Sequence, residues 1–350
     1  MTRLYDRVAD LPVRVEGYDL ERHERETSAG FTRVTTEVAI HGDGETGRGE
    51  DVTYEAGDHD ALRAAADPLP LDGEDTLDAV SAALDRADLF PEGPSDDAYR
   101  RYRRWAVESA ALDLGLRQAG TDLATALGRT LDPVRFVVST RLGEPPSADR
   151  IHEWLDIDPR IEFKLDAEPG WDRALIETLA DTGRVRIVDL KGHYEGTDVD
   201  TPADPDLYRR VIEGFPDALI EDPLVTGDTR PVVAGARERL AWDLPITDAA
   251  SLDGRPWPPA WVNVKPSRFG SVEALLDCLE ACAERGIGLY GGGQYELGAG
   301  RGQLHVLAAL FYPDGPNDVA PGAYNDPEPR AGLPASPLDP PADPAGFRWP

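Results

Sequence analysis

From Arg135 onward the chain repeats one unit: a short apolar, β-branched run, a polar break, then a stretch of helical period. The strand candidates are Arg135–Thr140, Ile161–Leu165, Val185–Leu190, Ala218–Asp222, Arg239–Asp243, Trp261–Lys265 and Gly286–Tyr290. Helical stretches lie between several of them, at Trp171–Thr182, Asp206–Glu213 and Ser271–Arg285. A helical crossover returns the chain to the start of the next strand, so strands joined this way run parallel. Successive strand ends fall 21 to 32 residues apart, which matches the roughly thirty-residue unit of a parallel (β/α) barrel. A flat doubly wound sheet is the alternative. Its usual fingerprint, a glycine-rich phosphate turn after the first strand, is missing.

In a barrel of parallel strands every C-terminal strand end opens on one face, where active sites sit. Reading those ends in order gives Lys164, Asp189, Glu221, Asp243 and Lys265. Asp243 is preferred to the nearby Asp248 because it ends the strand itself, and Asp222 is a further neighbour. Three acids between two amines make a hard-cation site flanked by acid/base groups, and magnesium suits such oxygen ligands. The lysines carry extra weight because Lys164, Lys191 and Lys265 are the only three among 36 basic residues. An ordinary chain of this length holds about twenty. Arginine replaces lysine as a surface cation but does not give up its proton near neutral pH. Three lysines kept at strand ends therefore point to chemistry that cycles a proton on an amine.

Upstream, Val13–Leu20, Thr32–Ile40 and Gly47–Tyr54 read as antiparallel strands, with a hairpin turn in His41–Gly47. Residues 60–128 turn helical, and Tyr102–Ala119 carries Trp105, Leu112, Leu116 and Ala119 at helical spacing. Three strands and a helical bundle make a small α+β domain. The expected division is an N-terminal α+β domain over residues 1–130, a barrel over 131–325, and a tail over 326–350 that packs back through Phe347 and Trp349. Polar residues of Asp19–Gly30 are expected as loops covering the barrel mouth.

With 66 acidic and 36 basic residues the formal charge is −30, and the acids are spread along the whole chain. Dispersed acid with depleted lysine reads as adaptation to high salt. It argues against binding nucleic acid, whose phosphates it repels. No apolar run approaches a membrane span and no signal-peptide core opens the chain, so the expected location is cytoplasmic. Assembly into a homo-oligomer stays open. Cys278 and Cys282 fall on one apolar helix face and read as small core residues.

Several motifs resemble the enolase superfamily, in its mandelate racemase and muconate-lactonising branch. Gly47-Arg-Gly-Glu50 is similar to the glycine-rich end of that branch's capping sheet, and Glu108–Leu116 to the helix preceding its barrel. Ile220-Glu-Asp-Pro-Leu224 and Val262-Asn-Val-Lys-Pro-Ser-Arg-Phe-Gly270 resemble its metal-glutamate and base-lysine motifs. Leu289–Gly298 is similar to methylaspartate ammonia-lyases of the same superfamily. The resemblance implies a modified TIM-type (β/α)7β barrel with an N-terminal capping domain. It implies Asp189, Glu221 and Asp243 as ligands of Mg2+, with Mn2+ as the alternative, and Lys164 and Lys265 on opposite faces of a small carboxylate substrate. The implied chemistry is a lyase or isomerase reaction that abstracts an α-proton and stabilises an enediolate. Two departures stand out: Glu162-Phe-Lys164 keeps only the second lysine of a paired motif, and Lys191 replaces an asparagine. Lys191 either binds a substrate carboxylate or pairs with an acid, and Gln294 and Glu296 are specificity candidates. A Schiff-base lysine enzyme and a non-catalytic metal- or ligand-binding relative are the competing readings.

Overall fold

A computed structural model describes residues 3–65, 69–71, 73–194, 196 and 201–349. The N-terminal part holds β1 (Pro12–Val15), β2 (Gly17–Glu26), β3 (Thr32–Gly42), β4 (Glu45–Asp51) and β5 (Gly73–Thr76). β2, β3 and β4 form an antiparallel meander, and β1 pairs with β5. The Asp43–Gly44 turn joining β3 to β4 has positive φ at both residues, the conformation a tight hairpin demands. Most of Asp19–Gly30, expected as loop, is instead the edge strand β2. Its charged, half-exposed sequence blunts an edge that would otherwise template pairing.

The long helix Tyr99–Gln118 packs on one face of this sheet. Gly47 and Gly49 permit the approach: a Cβ at either would lie 2.1 Å from Ala110 O or 2.0 Å from Ala106 O. Alternation along β4 then turns Arg48 and Glu50 to the other face, toward the barrel. There the buried Glu50 accepts backbone N–H groups of Leu297 (2.6 Å), Gly298 (3.0 Å) and Gly300 (2.9 Å) at the start of helix Ala299–Phe311. A carboxylate is favoured at a helix N-terminus, so this contact docks the cap on the barrel.

The barrel strands are β6 (Val138–Thr140), β7 (Phe163–Asp166), β8 (Val185–Asp189), β9 (Leu219–Glu221), β10 (Leu240–Trp242), β11 (Trp261–Val264) and β12 (Gly288–Gly291). All pair in parallel in sequence order. The short segment Asn317–Asp318 bridges Phe136 on one side and Gly292 on the other, which closes the ring in the eighth position. Helices cross between most strands, but β10 and β11 are joined through a 3-10 turn, Ala250–Gly254. Ser271 caps helix Val272–Arg285 by accepting Ala274 N–H, and Gly286 ends it in the left-handed conformation. At the C-terminus Phe347 is fully buried against Trp105, its N–H 2.7 Å from Asp113 Oδ1, and Trp349 meets His305 edge-on. Among the described residues no helix is long and apolar enough to cross a membrane.

Candidate active site

The strand ends place charged side chains where a barrel interior opens. Lys164, on β7, is buried, with Nζ 2.6 Å from Glu221 Oε1, 3.5 Å from Asp189 Oδ2 and 3.4 Å from Asp318 Oδ2. Asp189 ends β8 and pairs with Lys191, whose N–H also donates to Asp189 Oδ1 at 2.9 Å. Glu221 ends β9 and accepts the Tyr290 hydroxyl. Asp243 follows β10; its Oδ2 lies 2.9 Å from Lys265 Nζ and its Oδ1 2.6 Å from Arg268 Nη1. The three acids are completely buried. Asp248 stands apart: it accepts Ser251 N–H at 2.7 Å in an exposed turn.

Burial opposes ionisation of all these acids, and neighbouring charge decides how each responds. At Asp243 the Arg268 and Lys265 cations outweigh burial and hold the carboxyl well below its ordinary range. Lys191 and Lys164 do the same for Asp189. Glu221 goes the other way: burial, reinforced by Asp189 and Asp243, pushes it up to about 8 despite Lys164 and Lys265. Burial also disfavours the Lys164 ammonium, but Glu221, Asp189 and Asp318 outweigh it and hold the proton firmly. Three buried acids on adjacent strands, one of them reluctant to ionise for want of positive charge, are the all-oxygen donors a hard divalent cation takes, although each is drawn to its own lysine or arginine and their oxygens are not gathered within 4.8 Å of one another.

The glycine run after β12 serves this cluster sterically. A Cβ on Gly292 would lie 2.7 Å from Lys265 Cε and 2.4 Å from Asn263 Oδ1, so glycine leaves room for the amine. Lys191 lies in the mouth with left-handed backbone (φ 49°), its Nζ also 3.3 Å from Asp166 Oδ1. It lines a cleft of about 380 Å³ together with Arg141, Asp166 and Glu168.

Gln294 and Glu296 are not brought into the mouth cluster. Gln294 is pinned in the seam between cap and barrel, accepting from Tyr54 OH at 3.0 Å and donating to Tyr102 OH at 3.1 Å. Glu296 pairs with Arg301 at 3.2 Å and accepts Gln294 N–H. The intervening Tyr295 meets Phe31 of the β2–β3 loop edge-on at 5.3 Å, so the cap reaches the mouth through aromatic contact.

Four further residues belong to the cluster. Arg268 lies on the short helix Pro266–Phe269 and also donates to Tyr194 OH at 3.0 Å. Asp222, pushed up to about 7 by burial and then by Asp243 and Asp189, holds the N–H groups of Asp243 and Leu244 at 2.8 Å each. Tyr290 and Asp318 complete the set. Neither Arg268 nor Asp318 stands out in the sequence: Arg268 is one of 33 arginines, and Asp318 carries no flanking apolar run that marks a strand.

Two family models match the chain, described as the N-terminal and C-terminal domains of a domain of unknown function (DUF8230), over residues 6–126 and 130–326. The sequence is 31% identical over 236 residues to an N-succinylamino acid racemase of Amycolatopsis sp, covering 63% of this chain. The match spans 60% of that relative's length. Among solved structures, a mandelate racemase/muconate lactonizing protein from Herpetosiphon aurantiacus is similar with TM-score 0.68 at 19% identity, covering 97% of this chain and 98% of that one. A dipeptide epimerase from Methylococcus capsulatus complexed with Mg ion is similar with TM-score 0.63 at 19% identity, covering 91% and 89%.

Proposed function

This chain belongs to the DUF8230 family, within the mandelate racemase and muconate-lactonising branch of the enolase superfamily, and we propose that it is a magnesium-dependent lyase or isomerase acting on a small carboxylate. The observation that carries this reading is the placement of two buried lysines, Lys164 and Lys265, on either side of three buried strand-end acids. Asp189, Glu221 and Asp243 would hold the divalent ion, which when bound supplies positive charge to a substrate carboxylate and so acidifies its α-proton.

The protein's own groups divide the remaining work. Lys164, surrounded by Glu221, Asp189 and Asp318, is protonated in the resting site and presents an ammonium to the enolised carboxylate. Lys265 shares its acid partner with Arg268, so the guanidinium carries the charge balance of Asp243 whichever protonation state Lys265 adopts. That frees Lys265 Nζ to take the α-proton and, in a racemase or epimerase cycle, leaves Lys164 Nζ to return one to the opposite face. Gly292 keeps the Lys265 side chain unobstructed. Lys191 and Arg141, in the cleft beside the mouth, would receive an anionic part of the substrate. A Schiff-base mechanism needs a neutral lysine, and the heavily charge-paired Lys164 is poorly suited to it.

The test is a screen of carboxylates in deuterated buffer, including N-succinylamino acids, succinylbenzoate-like acids, dipeptides and acid sugars. The reading requires α-proton exchange on at least one class, lost on chelation and restored by Mg2+. Exchange that survives chelation, with a product trapped by borohydride, would replace it with the Schiff-base reading.

A further inference from the structure

Away from the barrel mouth, three side chains meet on the barrel-facing side of the capping sheet. Glu21 and His23 stand two apart on β2 and therefore share a face, and Glu37 on β3 is the register partner of Glu21. Each offers one ligand atom, and these atoms lie within 4.8 Å of one another, a grouping unmatched among the described residues. Glu37 is also the register partner of Glu50 on β4, so three glutamates form a row across the sheet. Like charges directly opposite in an antiparallel pair are destabilising. Arg48 pairs with Glu37 Oε1, and Ala299 N–H donates to Oε2 at 2.9 Å.

Two details point to a missing partner in this row. His23 Nε2 is enclosed but makes no hydrogen bond; Glu37 Oε2 is 3.9 Å away, beyond hydrogen-bonding reach. Gly298 lets both groups come up against the loop backbone, since a Cβ there would lie 2.7 Å from Glu37 Oε2 and 3.2 Å from His23 Nε2.

We propose that Glu21, His23 and Glu37 bind a divalent transition ion of the zinc class, joining the capping sheet to the barrel loop at Gly298. One imidazole nitrogen and two carboxylate oxygens suit such an ion, with a fourth position left for water. The all-oxygen set at the barrel mouth suits magnesium instead. Ligand bonds of about 2.1 Å call for the three side chains to draw in from their present separation. Glu21 is exposed and His23 partly so, which leaves both free to make them. The ion would relieve the repulsion along the glutamate row and satisfy the histidine.

Titration calorimetry with Zn2+ in saturating Mg2+ tests this, because magnesium keeps the barrel-mouth acids engaged. The wild-type protein should take up one zinc equivalent, and zinc should raise its Tm. His23→Gln should lose both effects, Glu21→Gln should weaken binding at least tenfold, and His41→Gln should leave it unchanged. Asp189→Asn, which removes a barrel-mouth acid, should retain the zinc equivalent, so this outcome is read independently of the proposed enzymatic function. A wild-type protein that binds no zinc under these conditions overturns the proposal. So does a His23→Gln variant that binds it as well as wild type, or zinc binding lost in Asp189→Asn alone.

Discussion

Lys164 and Glu221 are 57 residues apart in the chain and 2.6 Å apart in space, Nζ to Oε1, both fully enclosed at the barrel mouth. Neither group survives there alone: an isolated buried charge costs several kcal/mol, so each requires the other or a substitute cation or anion. The same logic runs through Asp189 with Lys191, and through Asp243 with Lys265 and Arg268. The cluster is a mutually dependent set of charges and not a row of separate strand caps.

Gly292→Ala tests how tightly Lys265 is accommodated. The added methyl would meet Lys265 Cε at 2.7 Å and must push it aside. Overpacking of this kind costs about 1–3 kcal/mol of stability, so the fold should persist. Displacing a reacting group by about 1 Å costs roughly 10²-fold in rate, so proton exchange should fall by that order. Exchange at the native rate in a well-folded Gly292→Ala protein would show that Lys265 is not the base.

Metal binding should discriminate two nearby acids. Asp243→Asn is expected to weaken Mn2+ affinity, measured by paramagnetic resonance, by more than about tenfold. Asp248→Asn should leave it unchanged, because Asp248 only caps the Ser251 turn. The reverse pattern would reassign the third ligand.

How far the chain discloses this site depends on what each residue needs from its neighbours. Strand ends are legible because an apolar run stops at a charged residue, and parallel topology then sends Lys164, Asp189, Glu221, Asp243 and Lys265 to one face. Arg268 is hidden because arginine is the background cation of this sequence, 33 of 36 basic residues, so its type carries no signal. Asp318 is hidden because the eighth barrel position is only the bridge at Asn317–Asp318. Gln294 and Glu296 sit in a polar loop, and local sequence does not say whether such a loop faces the mouth or the cap; Tyr54 and Tyr102, far away in the chain, decide it. Most of edge strand β2 reads as a loop because the unbroken charged run Glu21–Glu26 lacks the apolar alternation that marks a half-buried strand.

Glu108 predicts a pH effect on stability. Buried between helix Tyr99–Gln118 and the barrel, it accepts Val272 N–H at 2.8 Å and Ser81 Oγ–H at 3.0 Å. Burial, only partly offset by Arg104, pushes it from its ordinary 4.5 up to about 7. The folded protein therefore keeps this proton where the unfolded chain releases it, and stability falls as pH rises from about 4.5 to 7. The full cost, present above pH 7, is on the order of 3 kcal/mol. Glu108→Gln should match wild type near pH 4.5 and be the more stable protein at pH 8, by denaturant unfolding. A difference independent of pH would contradict this.

Net charge of −30 predicts that salt stabilises the fold. Screening of dispersed surface acids should raise Tm by several degrees between low and molar potassium chloride. A flat or falling Tm would remove the halophilic reading and leave the lysine depletion to be explained by the site alone.

The central claim is that two lysines transfer protons across the faces of one bound carboxylate. It is tested by α-proton exchange in deuterated buffer, with whichever carboxylate the screen identifies, for Lys164→Arg, Lys265→Arg and Lys191→Arg. Arginine keeps the charge that Glu221, Asp189 and Asp243 require but holds its proton at neutral pH. The account predicts loss of exchange by at least about 10³-fold in the first two variants and a much milder loss in the third. Near-native exchange in both Lys164→Arg and Lys265→Arg would contradict it.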